Sequence, residues 1–189
     1  MNIWVGGYRN YELNLYRPDD RRIKVLKHLL ANHLLKRITQ TTDPVWVLAG
    51  GQPGIEQWGL QTALELKKAH PQLKTALLLP FADFAARWEP EKQETLANLK
   101  QQVDFWAEVS RQPYQSPRQL HNWQDFMLQH TAQAIMVYDP QHPGKSRYDY
   151  QAIKNYQKHH AYQLALLDMD QLEIESYEYL EEISQNNLQ

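Results

Sequence analysis

Five short apolar runs, at residues 3–5, 45–49, 73–79, 134–138 and 163–167, are spaced along the chain. Each is too short for a helix and nearly free of polar interruption, which predicts strands buried on both faces. The segments between them carry helical spacing instead. Ile23, Leu26, Leu30 and Leu34 stack on one face after Pro18-Asp19-Asp20, and Ile55, Gly59, Ala63 and Leu66 do so after Gly54. Leu96, Leu99, Val103 and Trp106 keep a three-four spacing after Glu89-Pro90-Glu91, which predicts one helix running through Trp106. Ser116-Pro117-Arg118-Gln119 has the form of a helix start, with Ser116 as the cap, Pro117 in the first turn and Gln119 at the capping-box position, and Leu120, Trp123 and Met127 form the apolar face behind it. A further helix is predicted over about residues 146–159.

Strands without alternation that take turns with amphipathic helices imply a parallel sheet covered on both sides. Right-handed crossovers then give a Rossmann-like three-layer α/β/α sandwich with a mostly parallel sheet of about five strands. The expected strand order is 3-2-1-4-5, with the reversal between the first and fourth strands and all carboxyl ends on one rim. Residues 1–168 read as a single such domain. Residues 169–189 read as an acidic tail, a solvated terminal helix or docking segment rather than a ligand site.

Composition narrows the function. The 189 residues contain no cysteine, which removes disulfides, zinc ribbons, iron–sulfur clusters and thiol catalysis and suits a reducing compartment. No apolar run approaches a membrane span and the N-terminus lacks a signal-peptide pattern, so a cytoplasmic location is expected. The formal charge of −2 is unevenly spread: all 20 Lys and Arg lie at or before Lys158 against 15 of the 22 carboxylates. The resulting mildly basic body permits phosphate affinity without the footprint of a nucleic-acid binder.

The seven glycines gather where such a sheet binds ligands. Gly6 and Gly7 close the first strand, and Gly50-Gly51-Gln52-Pro53-Gly54-Ile55-Glu56 joins the second strand to its helix. A bare backbone there can approach a phosphate at the helix N-terminus, or can simply make a tight turn. Neither the dinucleotide fingerprint nor a Walker lysine is present. Glu56 is either a carboxylate favoured by the helix dipole or a ribose-binding or general-base group. Arg9 can pair with phosphate. Tyr8, Trp58, Trp88, Tyr114 and Tyr138 are either core rings or stacking surfaces, with Trp88 and Tyr114 on the long connections 80–90 and 111–117 and at least one of these two expected against the pocket. Asp139 follows the fourth strand as a ligand contact or a turn starter. The eight histidines have no metal-ligand spacing, and no nucleophile elbow occurs.

Several of these segments together resemble the YpsA-like bacterial proteins: Gly7-Tyr8-Arg9 with Glu12-Leu13, Gly51-Gln52-Pro53-Gly54-Ile55-Glu56 with Trp58, and Pro80-Phe81 with Trp88. The likeness continues through Arg111-Gln112-Pro113-Tyr114-Gln115-Ser116-Pro117 and Tyr138-Asp139 to Gly144 and Tyr148, covering about residues 1–170. That family belongs to the SLOG superfamily, with the DNA-processing protein DprA and the LOG phosphoribohydrolases. The resemblance implies a Rossmann-like fold and a pocket for a nucleotide or nucleotide-derived ligand around Gly7, Arg9, Gly51, Gln52, Gly54 and Glu56. LOG enzymes carry Pro-Gly-Gly-x-Gly-Thr-x-x-Glu, whereas Glu56 stands two residues after Gly54, so their hydrolase mechanism does not transfer. Gln124 and Pro53 also stand where relatives have Asn and often Leu.

The leading expectation is a sensor or regulator that binds a nucleotide-derived small molecule, ADP-ribose-like, and whose bound state a protein partner reads. An enzyme alternative is N-glycosidic cleavage with Glu56 as base or oxocarbenium stabiliser, though no motif supplies a second catalytic group. DprA-like binding of single-stranded DNA is disfavoured by the modest charge and the acidic tail.

Overall fold

A computed structural model describes residues 1–186 of the chain. Six strands alternate with six helices: β1 (Asn2–Gly7), α1 (Arg21–Ile38), β2 (Val45–Ala49), α2 (Ile55–Lys67), β3 (Leu73–Phe81), α3 (Pro90–Gln102), β4 (Phe105–Ser110), α4 (Arg118–His130), β5 (Gln133–Val137), α5 (Arg147–Tyr156), β6 (Gln163–Leu167) and α6 (Met169–Asn186). Every pairing is parallel, and the sheet order is β4-β3-β2-β1-β5-β6. The predicted order holds among the five strands read from the sequence, with the reversal between β1 and β5.

The sixth strand corrects the expected strand count and the helix that was to run through Trp106. Helix α3 stops at Gln102, Val103 turns extended, and Phe105–Ser110 pairs along β3 at the sheet edge. Asp104 fixes that switch. Its Oδ2 accepts hydrogen bonds from the Thr75 N–H (2.9 Å) and hydroxyl (3.0 Å), and its Oδ1 accepts one from Lys67 Nζ at 2.5 Å.

The central strands are apolar because both their faces are covered. Ile3, Trp4, Val5, Val47, Leu77 and Ile135 are all fully or almost fully buried. Helices α1, α2 and α3 pack in sequence on one face, α4 and α5 on the other, as right-handed crossovers running in opposite directions from the switch require. Asp20 caps α1 by accepting the Arg22 N–H. Pro117, not Ser116, is the N-cap of α4, while Gln119 accepts from the N–H groups of Gln115 and Ser116. Within the acidic tail, Met169–Asn186 is helical as α6 and lies along α1, where His33 pairs with Glu175 at 3.0 Å and His28 stacks on Tyr179. Among the described residues, no helix is long and apolar enough to cross a membrane.

Candidate functional site

Three loops meet on the carboxyl rim beside the switch point. The segments after β1 and β2 form a short antiparallel bridge: Asn10 N–H donates to Pro53 O (3.0 Å) and Ile55 N–H to Tyr8 O (3.1 Å), with Arg9 facing Gly54. Gly54 permits this approach. Its φ is +120°, and a Cβ there would lie 2.6 Å from both Tyr8 O and Asn10 N. The β5–α5 loop joins through Tyr8, whose hydroxyl accepts the Asp139 N–H (3.0 Å) and donates to His142 O (2.6 Å). Ser146 adds a hydroxyl bond to Gly7 O at 2.5 Å. Glu12 spans the junction, its Oε2 accepting from Arg9 N–H at 2.8 Å and its Oε1 from Lys145 N–H at 2.6 Å. One carboxylate thus sets the backbone of two cationic residues from two different loops.

Between these loops and α4 lies a cavity of about 310 Å³. Its floor is Gly50, Glu56 and Asp149, its apolar wall Pro80, Phe84, Leu120 and Trp123, and its rim Arg9, Gln52, His121 and Lys145. The wall is rigidly set. Trp123 Nε1 donates to Leu78 O at 2.7 Å, and its ring meets the fully buried Trp4 edge-on. Gly50 is the close-packed point, since a Cβ there would lie 2.5 Å from the Trp123 ring and 2.9 Å from Glu56 Oε2.

Two carboxyl groups share this floor. Glu56 is only 5% exposed and accepts the Gln52 N–H at 2.7 Å. Burial pushes it up to about 8, with the Asp149 charge adding to the rise and the Gln52 hydrogen bond and Arg9 opposing it. Asp149 Oδ1 accepts from Gln124 Nε2 at 2.6 Å, and burial lifts Asp149 to about 6 against Gln124 and Arg9. Both carboxyls are thus held above the ordinary carboxylate range, and a like-charged pair at this burial is best tolerated with one proton retained: one donor and one acceptor beside an apolar wall. Arg9 and Lys145 make no ion pair among the described residues, and no cluster of His, Asp and Glu there is placed to hold a metal ion.

The candidates read from the sequence divide accordingly. Arg9, Gln52 and Glu56 line the cavity. Gly7, Gly51, Gly54, Tyr8 and Asp139 do not; they build its frame. Gly7 lies against the Val137 backbone, and Gly51 faces Leu77, Leu79 and Leu96 on the opposite side of the sheet. Asp139 folds onto its own loop, accepting the Gln141 N–H at 2.7 Å. Trp88 packs on Phe84 and the half-exposed Tyr114 on Phe81; from these long connections it is Pro80, Phe84 and Pro117 that reach the lining. Two N–H groups of the glycine turn are committed inside the chain, Gln52 to Glu56 and Ile55 to Tyr8, leaving Arg9 and Lys145 as the unpaired cationic donors on the rim. Asp149, Gln124, Trp123 and Lys145 carry no motif that sequence reasoning could have singled out, although Gln124 marks a departure from the resembled family.

The YpsA family model, described as the YspA SLOG family, matches residues 3–172. A UPF0398 protein of Limosilactobacillus reuteri is 46% identical over 179 residues, covering 95% of this chain and 94% of its own length. UPF0398 proteins of Lactiplantibacillus plantarum (47% over 185 residues; 98% and 96% covered) and Pediococcus pentosaceus (45% over 179 residues; 95% and 97% covered) are similarly close.

Proposed function

The chain belongs to the YpsA SLOG family, and from that premise we propose that it binds a nucleotide-derived small molecule, ADP-ribose-like in chemistry, in the cavity floored by Glu56 and Asp149. The observation that carries the reading is the donor set of this one space. An aromatic and aliphatic wall suits a base, a neutral acid beside an ionised one suits a ribose diol, and two unpaired cations suit phosphate. The loops that hold these groups are tied to each other by backbone bonds, so a bound ligand alters a shared surface that a protein partner can read. Calorimetric titration with a panel of nucleoside mono- and diphosphates and ADP-ribose tests this. Binding that weakens in the Glu56→Gln and Arg9→Ala proteins supports it, and a panel without binding refutes it.

A second reading is favoured by Asp149, the acidic partner that sequence motifs did not supply. A protonated and an ionised carboxyl facing one slot have the form of a general acid and a general base, as N-glycosidic hydrolysis requires. Chromatography of the same incubations separates the two: a released base marks an enzyme, and an intact ligand marks a sensor. Affinity falling steeply between about 50 and 200 mM salt would instead favour single-stranded nucleic acid.

A further inference from the structure

The cavity has a neighbour across the α4–α5 junction. A second groove of about 340 Å³ runs between α4 and α5, and His121, Gln124 and Tyr148 line both spaces. Tyr148 stands at the junction, 47% exposed, with the Arg147 guanidinium over its ring at 4.7 Å and donating to its hydroxyl at 2.8 Å. An exposed aromatic face held in one orientation between two cavities is a ready surface for a ring to lie across.

The chemistry of the two spaces differs. The first has Arg9 and Lys145 in its lining, whereas the groove has no Lys or Arg and instead carries Asp125, Gln151 and Asn155 above Leu128 and Ala152. Asp125 repels a phosphate there. The amides and the carboxylate suit hydroxyl groups, and the small apolar floor suits the face of a sugar or nucleoside ring. Lys158 donates to Asn155 Oδ1 at 2.9 Å, which leaves the Asn155 amide N–H groups as donors to a ligand.

Resting on the nucleotide-binding reading above, we infer that the ligand is two-lobed: its anionic nucleotide part occupies the cavity floored by Glu56 and Asp149, and a neutral, hydroxyl-bearing ring crosses Tyr148 into the groove between α4 and α5. In an ADP-ribose-like molecule that ring is the terminal sugar, the part ADP lacks. Gln151 and Asn155 are then specificity-determining residues.

ADP and ADP-ribose, titrated in parallel into the full chain and into the Gln151→Ala/Asn155→Ala double variant, test the inference. Both substituted side chains are exposed, so the variant should melt with the wild type. The expected result is about tenfold or greater preference of the wild type for ADP-ribose, and loss of that preference in the variant with ADP affinity unchanged. Equal affinity of the wild type for the two ligands, or a preference that survives in the variant, overturns the two-lobed ligand while leaving nucleotide binding standing. Failure of both ligands to bind overturns the underlying reading and this inference with it.

Discussion

Replacing Glu56 with Gln should make the protein more stable at neutral pH, and the gain should disappear in acid. Burial of its charged form, with Asp149 alongside, pushes the folded carboxyl up to about 8 from an ordinary value of 4.5. A carboxyl displaced upward is best tolerated protonated. Its contribution is therefore intact below about pH 4.5 and is lost as pH rises towards about 8. The full displacement corresponds to about 4–5 kcal/mol, of which roughly 3 kcal/mol has been lost by pH 7. Gln keeps the shape and still accepts the Gln52 N–H, but has no charge to bury. Thermal or urea unfolding of both proteins at pH 5, 6, 7 and 8 reads the difference directly. At about 2–4 °C per kcal/mol for a chain of this size, the variant should melt about 6–12 °C higher at pH 7, with most of the gap closed at pH 5. Asp149, lifted to about 6, adds its own decline between about pH 4 and 6, but that decline belongs largely to both proteins and mostly cancels in the comparison. Parallel pH profiles, or a variant less stable at pH 7 and 8, would refute the buried-acid account of Glu56.

Three further outcomes follow from the same frame. Arg9→Ala should weaken binding of a phosphate-bearing ligand by about ten- to a hundredfold, read by calorimetry, and lower melting by no more than about 2–4 °C, since its guanidinium holds no ion pair and lends only a nearby charge to Glu56 and Asp149. Gly54→Ala should cost more than about 2 kcal/mol in urea unfolding, because a Cβ strikes the Tyr8 and Asn10 backbone at φ +120°. His33→Ala, which removes the pair with Glu175, should speed amide hydrogen exchange in α6 while leaving ligand affinity unchanged.

What the sequence discloses follows from how each part is buried. Strands β1, β2, β3 and β5 are enclosed on both faces, so they appear as nearly unbroken apolar runs. The edge strand β4 is half-exposed, reads Phe105-Trp106-Ala107-Glu108-Val109-Ser110, and begins where Trp106 happens to continue the period of α3. Its start is set by Asp104 reaching Thr75, a contact 29 residues apart that no local pattern announces. The site divides in the same way. Arg9, Gln52 and Glu56 follow glycine turns, which mark strand ends. Asp149 and Gln124 come from helices on the far side of the chain reversal and meet Glu56 only through the sheet order. Trp88 and Tyr114 show that the presence of an aromatic ring on a long rim loop does not fix the direction of its side chain. Phe84, three residues after the end of β3, takes the place on the wall.

We propose one cavity, beside the switch between β1 and β5, as the ligand site. A crystal structure of the protein with ADP-ribose at saturating concentration decides this. The diphosphate should lie between Arg9 and Lys145, with a ribose hydroxyl within hydrogen-bond distance of Glu56 or Asp149. A ligand seated instead in the groove between α1 and α6, or absent from the Glu56 cavity at saturation, would contradict it.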